Sequence, residues 1–176
     1  VHVHCIDSKS ATIGLGPIVL AAARLAEQNL PIAEILETLN RVVEQTAVYF
    51  LLDSLDNLHK GGRIGKVTAT AGTLLNIKPI LGFSADGQLQ SAAKVRGRNQ
   101  VMDKLVALTV KACGEHKRYN LAVASGGSSS EELEKLRTKL ITALPDYDHI
   151  WEGEIDSTLS VYIVDGIVGS AVQVLD

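Results

Sequence analysis

The sequence has little of what several large classes of protein depend on. It contains only two cysteines, Cys5 and Cys113, which form no CxxC pair, so no disulfide framework is expected and reduced thiols in the cytoplasm are the simpler interpretation. No apolar run approaches the roughly 20 residues that a membrane-spanning helix needs. The formal net charge is −3 and no long basic tract occurs, so nucleic acid is not expected as the principal partner. Aromatic residues are scarce too, at 4%.

Small and aliphatic residues are plentiful, and hydrophobic residues reach 46% of the composition, which is enough for a packed core. Their spacing predicts an α/β fold with a boundary near Thr46, because a strand, a loop and two helices before it are typical of the closing portion of a layered α/β domain. The Asp86-Gly87 pair predicts a hairpin. The predicted strands cover residues 1–6, 48–52, 77–83, 88–95, 119–124, 150–155 and 170–175. The predicted helices cover residues 18–28, 55–59, 68–75, 99–112 and 130–144, and a further helix starts at Pro31.

Two segments look like functional sites but lack required parts. In a strand, His2 and His4 share one face and Cys5 lies on the other, and no third metal ligand can be named beside the histidines. Residues 61–68 (GGRIGKVT) resemble a phosphate-binding loop, but Gly61 lies one residue too close to the Gly65-Lys66 pair. Val67 also stands where that loop has a serine or threonine. The sequence therefore predicts no metal site and no nucleotide cofactor.

Three other segments leave two interpretations open. Residues 60–63 fit a helix C-cap and an anion-facing turn equally well, since glycines permit left-handed backbone and an arginine fork suits a carboxylate. Lys78, which precedes Pro79, also has two interpretations. One is a solvent-facing cation at a strand edge, and the other is a second contact for an anion. For residues 126–130, N-capping by a serine is favoured over anion binding at a helix N-terminus. No serine lies in a glycine-flanked nucleophile elbow, so no catalytic residue is predicted.

Several motifs follow one another in an order that is informative as a set. They are IDSKS at 6–10, LDSL at 52–55, KGGRI at 60–64, LLNIKPIL at 74–81 and KVR at 94–96. Together they resemble the DegV family of bacterial fatty-acid-binding proteins. The resemblance implies a layered α/β fold in which residues 1–47 are the end of a first α/β domain, whose earlier part is missing here. Residues 48–176 would be the C-terminal lipid-binding domain.

In that family two α/β domains enclose a long-chain fatty acid, with the tail in an aliphatic tunnel of the second domain. Members present the bound acid to a separate fatty-acid kinase, which feeds phospholipid synthesis, and they use no cofactor and perform no chemistry. On this resemblance Arg63 and Gly62 would lie near the acyl head group or the kinase-facing surface. Tyr162 would stand where the family has a carboxylate-binding histidine. The implied tunnel wall comprises Phe50, Leu74, Leu75, Ile77 and Ile80.

Three hypotheses about function follow. The first is non-covalent binding and delivery of a long-chain fatty acid in the cytoplasm. The second is an interaction or oligomerisation module without a ligand, such as a homodimer, because a large bare apolar patch is rarely tolerated on a monomer. The third is an enzyme acting on a small anion through Arg63, Lys78 and Tyr162, and it has the least support.

Overall fold

A computed structural model of the chain describes residues 1–67, 77–127, 130–163 and 166–176, with only the backbone described for residues 77, 78, 98 and 99. The helices are a 3-10 turn at Thr12–Gly14, α1 (Leu15–Glu27), α2 (Ile32–Glu44), α3 (Asp56–Lys60), α4 (Arg98–Cys113), α5 (Ser130–Ala143) and α6 (Ser157–Ser160). The strands are β1 (Thr46–Leu51), β2 (Ile77–Phe83), β3 (Leu89–Arg96), β4 (Tyr119–Ser125), β5 (His149–Glu154) and β6 (Val168–Val174).

These strands form one mixed sheet in the order β3-β2-β1-β6-β4-β5. The pair β4–β5 is parallel, and the other neighbouring pairs are antiparallel. The hairpin predicted at Asp86-Gly87 is confirmed: the Gly87 amide donates to the Ser84 carbonyl at 2.8 Å, and the Ser84 amide donates to the Gln88 carbonyl at 2.9 Å. Gly87 has φ +77°, a conformation that favours glycine in such turns.

One face of the sheet is covered by α4 and α5. Alternate strand residues such as Leu51 and Leu121 point to this side and pack against Leu105 and Leu140 of the two helices. A polar contact is enclosed here as well, because the Thr109 and Ser170 hydroxyls, both fully buried, lie 2.7 Å apart. This face is therefore a closed core.

The opposite face is covered by shorter and more irregular segments. Val48 and Phe50 of β1 point to this side, with Ala122 of β4 and Ala171 of β6. The 3-10 turn lies directly over β1, where a Cβ atom on Gly14 would overlap the side chain of Val48. The absence of a side chain at this residue lets the N-terminal helices approach the sheet closely.

The predicted strands and helices are confirmed within a few residues of their ends, with two exceptions, and the 3-10 turn and α6 are two additions. The strand predicted for residues 1–6 is wrong: no strand forms there, and Val1 and Val3 are exposed at 123% and 78%. The alternating pattern of residues 1–6 suits a strand, but in the structure this segment pairs with no strand of the sheet. The helix predicted for 68–75 lies outside the described residues, and α6 was not predicted. The boundary near Thr46, where β1 begins, stays a prediction. None of the described helices has the length and apolar character to cross a membrane.

Candidate functional site

A cavity of about 490 Å³ lies beneath the irregular cover of the second sheet face. Its size falls within the range of roughly 300–1,000 Å³ typical of small-molecule sites. We refer to it as the apolar cavity, because most of its described lining is hydrocarbon. The apolar lining side chains are Ala11, Ile13, Val48, Phe50, Leu58, Phe83, Leu89, Ala124, Ile155, Leu159, Ile163 and Ile167.

Small residues on the central strands leave the room for this cavity. Ala124 and Gly169 line its floor, where larger side chains would fill it. A Cβ atom on Gly169 would stand 2.9 Å from the Cβ of Phe50 and 3.0 Å from the Tyr49 carbonyl oxygen. The ring of Phe50 packs in turn on Phe83, with 6.1 Å between centroids.

The end of α3 determines where Arg63 stands. Gly62 has φ +67°, and its amide donates to the His59 carbonyl at 3.1 Å. The Arg63 amide donates to the Leu58 carbonyl at 2.8 Å. These two bonds form a Schellman C-cap, which requires a left-handed residue and suits glycine. The C-cap interpretation of residues 60–63 is thus confirmed, and the cap also directs the next residue, Arg63, toward the cavity wall.

Arg63 is the one charged side chain among the described residues that line the apolar cavity. Its guanidinium carbon lies 5.2 Å from the centroid of the Tyr162 ring, a cation–π contact. The Tyr162 ring also packs on the cap itself, since a Cβ atom on Gly61 would stand 2.6 Å from it. Arg63 Nη1 donates to the Gly61 carbonyl at 2.9 Å. Because a guanidinium has five N–H donors, others remain to meet an anion.

The segment after Arg63 is fastened to the β2–β3 hairpin. The Lys66 amide donates to the Leu89 carbonyl at 2.7 Å, and Lys66 Nζ donates to both carboxylate oxygens of Asp86 at 2.6 and 2.8 Å. Hydrogen bonds from Lys66 and then Ser84 lower the pKa of Asp86 from 3.8 to about 2. Gly65, at φ +59°, lies against the Leu89 backbone. These contacts hold one side wall of the cavity in place.

Half of the residues implied by the resemblance meet at this cavity. Phe50, Gly62, Arg63 and Tyr162 all line it. Ile80 does not: it is fully buried in the closed core on the other sheet face. Leu74 and Leu75 lie outside the described residues, as does the side chain of Ile77. The same holds for part of the 126–130 loop and for the side chain of Lys78.

Several lining residues were missed by the sequence reasoning. Ile13 comes from the 3-10 turn, and Leu159 and Ile163 come from α6 and the turn after it. Nothing in their local sequence distinguishes them from ordinary apolar residues. Val48 could have been found, because it lies two residues before Phe50 on one strand face.

A search for related proteins identifies the family. The family model described as "Uncharacterised protein, DegV family" matches residues 1–174. The chain belongs to the DegV family. A DegV domain-containing protein of Clostridium acetobutylicum is 32% identical over 163 residues, which cover 93% of this chain and 57% of that protein. One of Clostridium perfringens is 33% identical over 170 residues, covering 97% and 59%. The chain thus spans about three fifths of the length of these DegV relatives.

Solved structures have the same α/β fold. A structure described as showing fatty-acid binding of a DegV family protein from Thermus thermophilus superposes with a TM-score of 0.88 at 25% identity, covering 97% of this chain and 60% of that one. A DegV family protein from Eubacterium eligens, loaded with heptadecanoic acid, superposes with a TM-score of 0.80 at 24% identity, with the same coverage of both chains.

Proposed function

We propose that this DegV chain binds a long-chain fatty acid non-covalently, with the tail in the apolar cavity and the carboxylate at Arg63. The observation that carries the proposal is the combination of a hydrocarbon-lined cavity with one charged lining side chain, a cation, among the described residues. The fatty acid bound by the Eubacterium eligens relative supports the ligand class. The site residues therefore comprise Phe50, Gly62, Arg63 and Tyr162, together with the apolar wall.

The energetics favour an acyl tail over a small polar ligand. Each buried methylene contributes about 0.8 kcal/mol, so a tail of some fifteen carbons gains roughly 12 kcal/mol before costs. Association and ordering cost roughly 4–15 kcal/mol. Because the cost of association is comparable with the gain from burying the tail, most of the tail must be enclosed for net binding. A short acid buries fewer methylenes and should therefore bind poorly. The head group then contributes orientation more than affinity.

The proposal extends to the role of the protein. We infer that the chain is cytoplasmic, with residues 1–47 and 48–176 as two units of the DegV architecture, and that it presents the bound acid to a fatty-acid kinase for phospholipid synthesis. In this role the chain itself performs no chemical step. The exposed Arg63 at the cavity wall supports presentation, because a partner could reach the carboxylate beside it.

One observation favours the alternative of an interaction module. Leu15 and Val19 of α1 are exposed at 39% and 55%, and their spacing of four residues puts them side by side on one helix face, as an apolar contact surface for a second chain requires. Analytical ultracentrifugation of the purified protein decides whether a homodimer forms. Its result is independent of the lipid content.

The direct test is native mass spectrometry of the purified protein, with extraction and identification of any bound lipid. We expect about one fatty acid per chain in the unchanged protein. Leu159→Trp places a larger ring in the cavity wall and should reduce the lipid content severalfold. Leu133→Trp is the matched control, because Leu133 is also half-buried on a helix but packs on the closed core. Equal lipid content in the two variants contradicts the assignment of this cavity.

A further inference from the structure

A groove of about 320 Å³ adjoins the apolar cavity beside β5, which is the last strand of the sheet. We refer to it as the edge groove. The groove and the cavity share four lining residues, Thr12, Ile13, Ile155 and Leu159. The two spaces therefore meet at these side chains, and a long ligand in the cavity has the groove as its continuation.

The lining of the edge groove is suited to hydrocarbon. Pro17 and Leu20 of α1 line it together with Ala122 of β4 and Trp151 of β5. Trp151 and Ile155 pack on the same apolar cluster as the wall of the apolar cavity. The described lining contains no lysine, arginine or histidine, so the groove offers no cation to the carboxylate of a fatty acid.

Three acidic residues border the edge groove, but their carboxylates are directed elsewhere. Alternation along β5 points the side chains of Glu152 and Glu154 to the other sheet face, where Glu152 pairs with Arg137 of α5. The Asp156 carboxylate accepts from the Leu159 amide at 3.0 Å. The negative charge nearby disfavours a carboxylate in the groove and leaves the methyl end of an acyl chain as the part that fits.

The floor of the cavity and the floor of the groove belong to one row of the sheet. The strand register aligns Phe50 of β1 with Gly169 of β6, Gly169 with Ala124 of β4, and Ala124 with Gly153 of β5. The first three residues line the apolar cavity, and Gly153 lines the edge groove. A Cβ atom on Gly153 would meet no atom within 4 Å, so the groove is open above this residue.

We propose that the methyl end of the bound acyl chain passes Ile13 and lies in the edge groove over Gly153, which makes Gly153 a determinant of acyl-chain length. This inference rests on the proposed function and adds the place where the tail ends. Arg63 belongs to the segment that Lys66 fastens to the β2–β3 hairpin. The carboxylate therefore lies on the β2 side, and the tail runs across the strands toward β5.

The width of the sheet matches a long tail. Neighbouring strands lie about 4.8 Å apart, and an extended chain advances about 1.2 Å per bond, as a polypeptide backbone does, so each strand interval takes about four carbons. The intervals from Phe83 on β2 to Ala124 on β4 take about twelve carbons, and the step to Gly153 brings the total to about sixteen. Lauric acid should thus end within the apolar cavity, whereas palmitic acid should reach the groove.

Trp151 reports on the occupant of the edge groove, because it lines the groove and is the one tryptophan of the chain. The probes are palmitic and lauric acids with a bromine on the terminal carbon, since bromine quenches tryptophan fluorescence on contact. Their binding is measured separately, by displacement of a fluorescent fatty-acid analogue. At saturation, the bromopalmitic acid should quench Trp151 severalfold more than the bromolauric acid.

The two assays separate the possible failures. Equal quenching by the two bound acids overturns the assignment of the edge groove and leaves the proposed function standing. Binding of neither acid overturns the proposed function and this inference with it.

Gly153→Leu tests the groove by filling it. The variant should fold, because the added Cβ meets no atom and the φ of Gly153 lies outside the left-handed range. A tenfold change in affinity corresponds to about two buried methylenes, so palmitic acid should bind about tenfold or more weakly. Lauric acid should bind as it does to the unchanged protein, which also shows that the variant is folded.

Glu154→Leu is the matched control, because the same side chain is placed one residue along β5 and points to the other sheet face. It should leave the affinities of both acids unchanged. Unchanged binding of palmitic acid to Gly153→Leu contradicts the proposed path of the tail. An equal loss for palmitic and lauric acids contradicts it as well, since residue 153 would then affect the whole site rather than chain length.

Discussion

The removal of the Arg63 guanidinium tests the orientation of the proposed ligand. In Arg63→Ala the backbone cap that positions this residue stays, because its hydrogen bonds come from main-chain amides. The contact with Tyr162 is lost, and at an exposed site such a cation–π contact is worth about 0.5–1 kcal/mol. The fold should therefore survive. What changes at the cavity is the charge opposite the proposed carboxylate.

The size of the expected effect follows from the exposure of the group. A hydrogen bond to a charged group contributes about 1.5–3 kcal/mol. Since Arg63 is exposed, solvent reduces this figure, and we take about 1–2 kcal/mol, which corresponds to roughly a 5–30-fold loss of affinity. The acyl tail should keep most of its affinity, because the apolar wall is unchanged.

A comparison of an acid with its methyl ester isolates the head group. The affinities of palmitic acid and methyl palmitate are measured by displacement of a fluorescent fatty-acid analogue. In Arg63→Ala the acid should lose affinity while the ester binds as it does to the unchanged protein. Arg96→Ala, which removes another exposed arginine on β3, should affect neither ligand. An equal loss for acid and ester would refute the assignment, since it would mean that Arg63 acts by packing.

Three further substitutions test the framework around the site. Gly65→Ala forces a left-handed alanine at φ +59° and should lower the free energy of unfolding by about 1–3 kcal/mol in a urea titration; an unchanged midpoint refutes this. Lys66 lowers the pKa of Asp86 to about 2 in the folded protein. The ion pair therefore stabilises the fold above about pH 4, and this stabilisation is lost as the pH falls toward 2. Lys66→Ala should therefore weaken the dependence of melting temperature on acid pH. Thr109→Val strands the Ser170 hydroxyl and should cost about 1–3 kcal/mol, part of which the added Ser170→Ala restores.

The strands that could be predicted are those whose signals are local. The hairpin at Asp86-Gly87 combines a turn dipeptide with two alternating runs, and both strands form where expected. The strand expected at residues 1–6 has the same alternation but no pairing partner. Pairing joins segments that are distant in sequence, so a local pattern cannot supply it. Helix α6 begins at a capping Asp156, whose carboxylate accepts from the Leu159 amide at 3.0 Å, but four residues are too few for a periodic signal.

The residues of the site that belong to sequence motifs could be predicted, but most of the apolar residues that line the cavity could not. The C-cap glycines and Arg63 stand out because their conformation and charge carry information. Alternation sorts a strand into two sets of residues, but it does not say which set faces a cavity. Ile80, which the resemblance implies for the tunnel wall, packs in the closed core on the other sheet face, while Phe83 of the same strand lines the apolar cavity. A register shift between Ile80 and Leu81 makes counting along this strand still less reliable.

The sheet face that carries the apolar cavity presents two chemistries in successive rows. A methylene gains its roughly 0.8 kcal/mol only where it replaces water with hydrocarbon, as it does beside Phe50 and Ala124. At the end of this face where the strand register aligns Thr46, Gln173 and Asn120, the strand residues are polar, and a methylene gains less there. An acyl tail is thus favoured along the apolar rows. The last apolar row before the polar end is the one that contains Ala122 and Trp151.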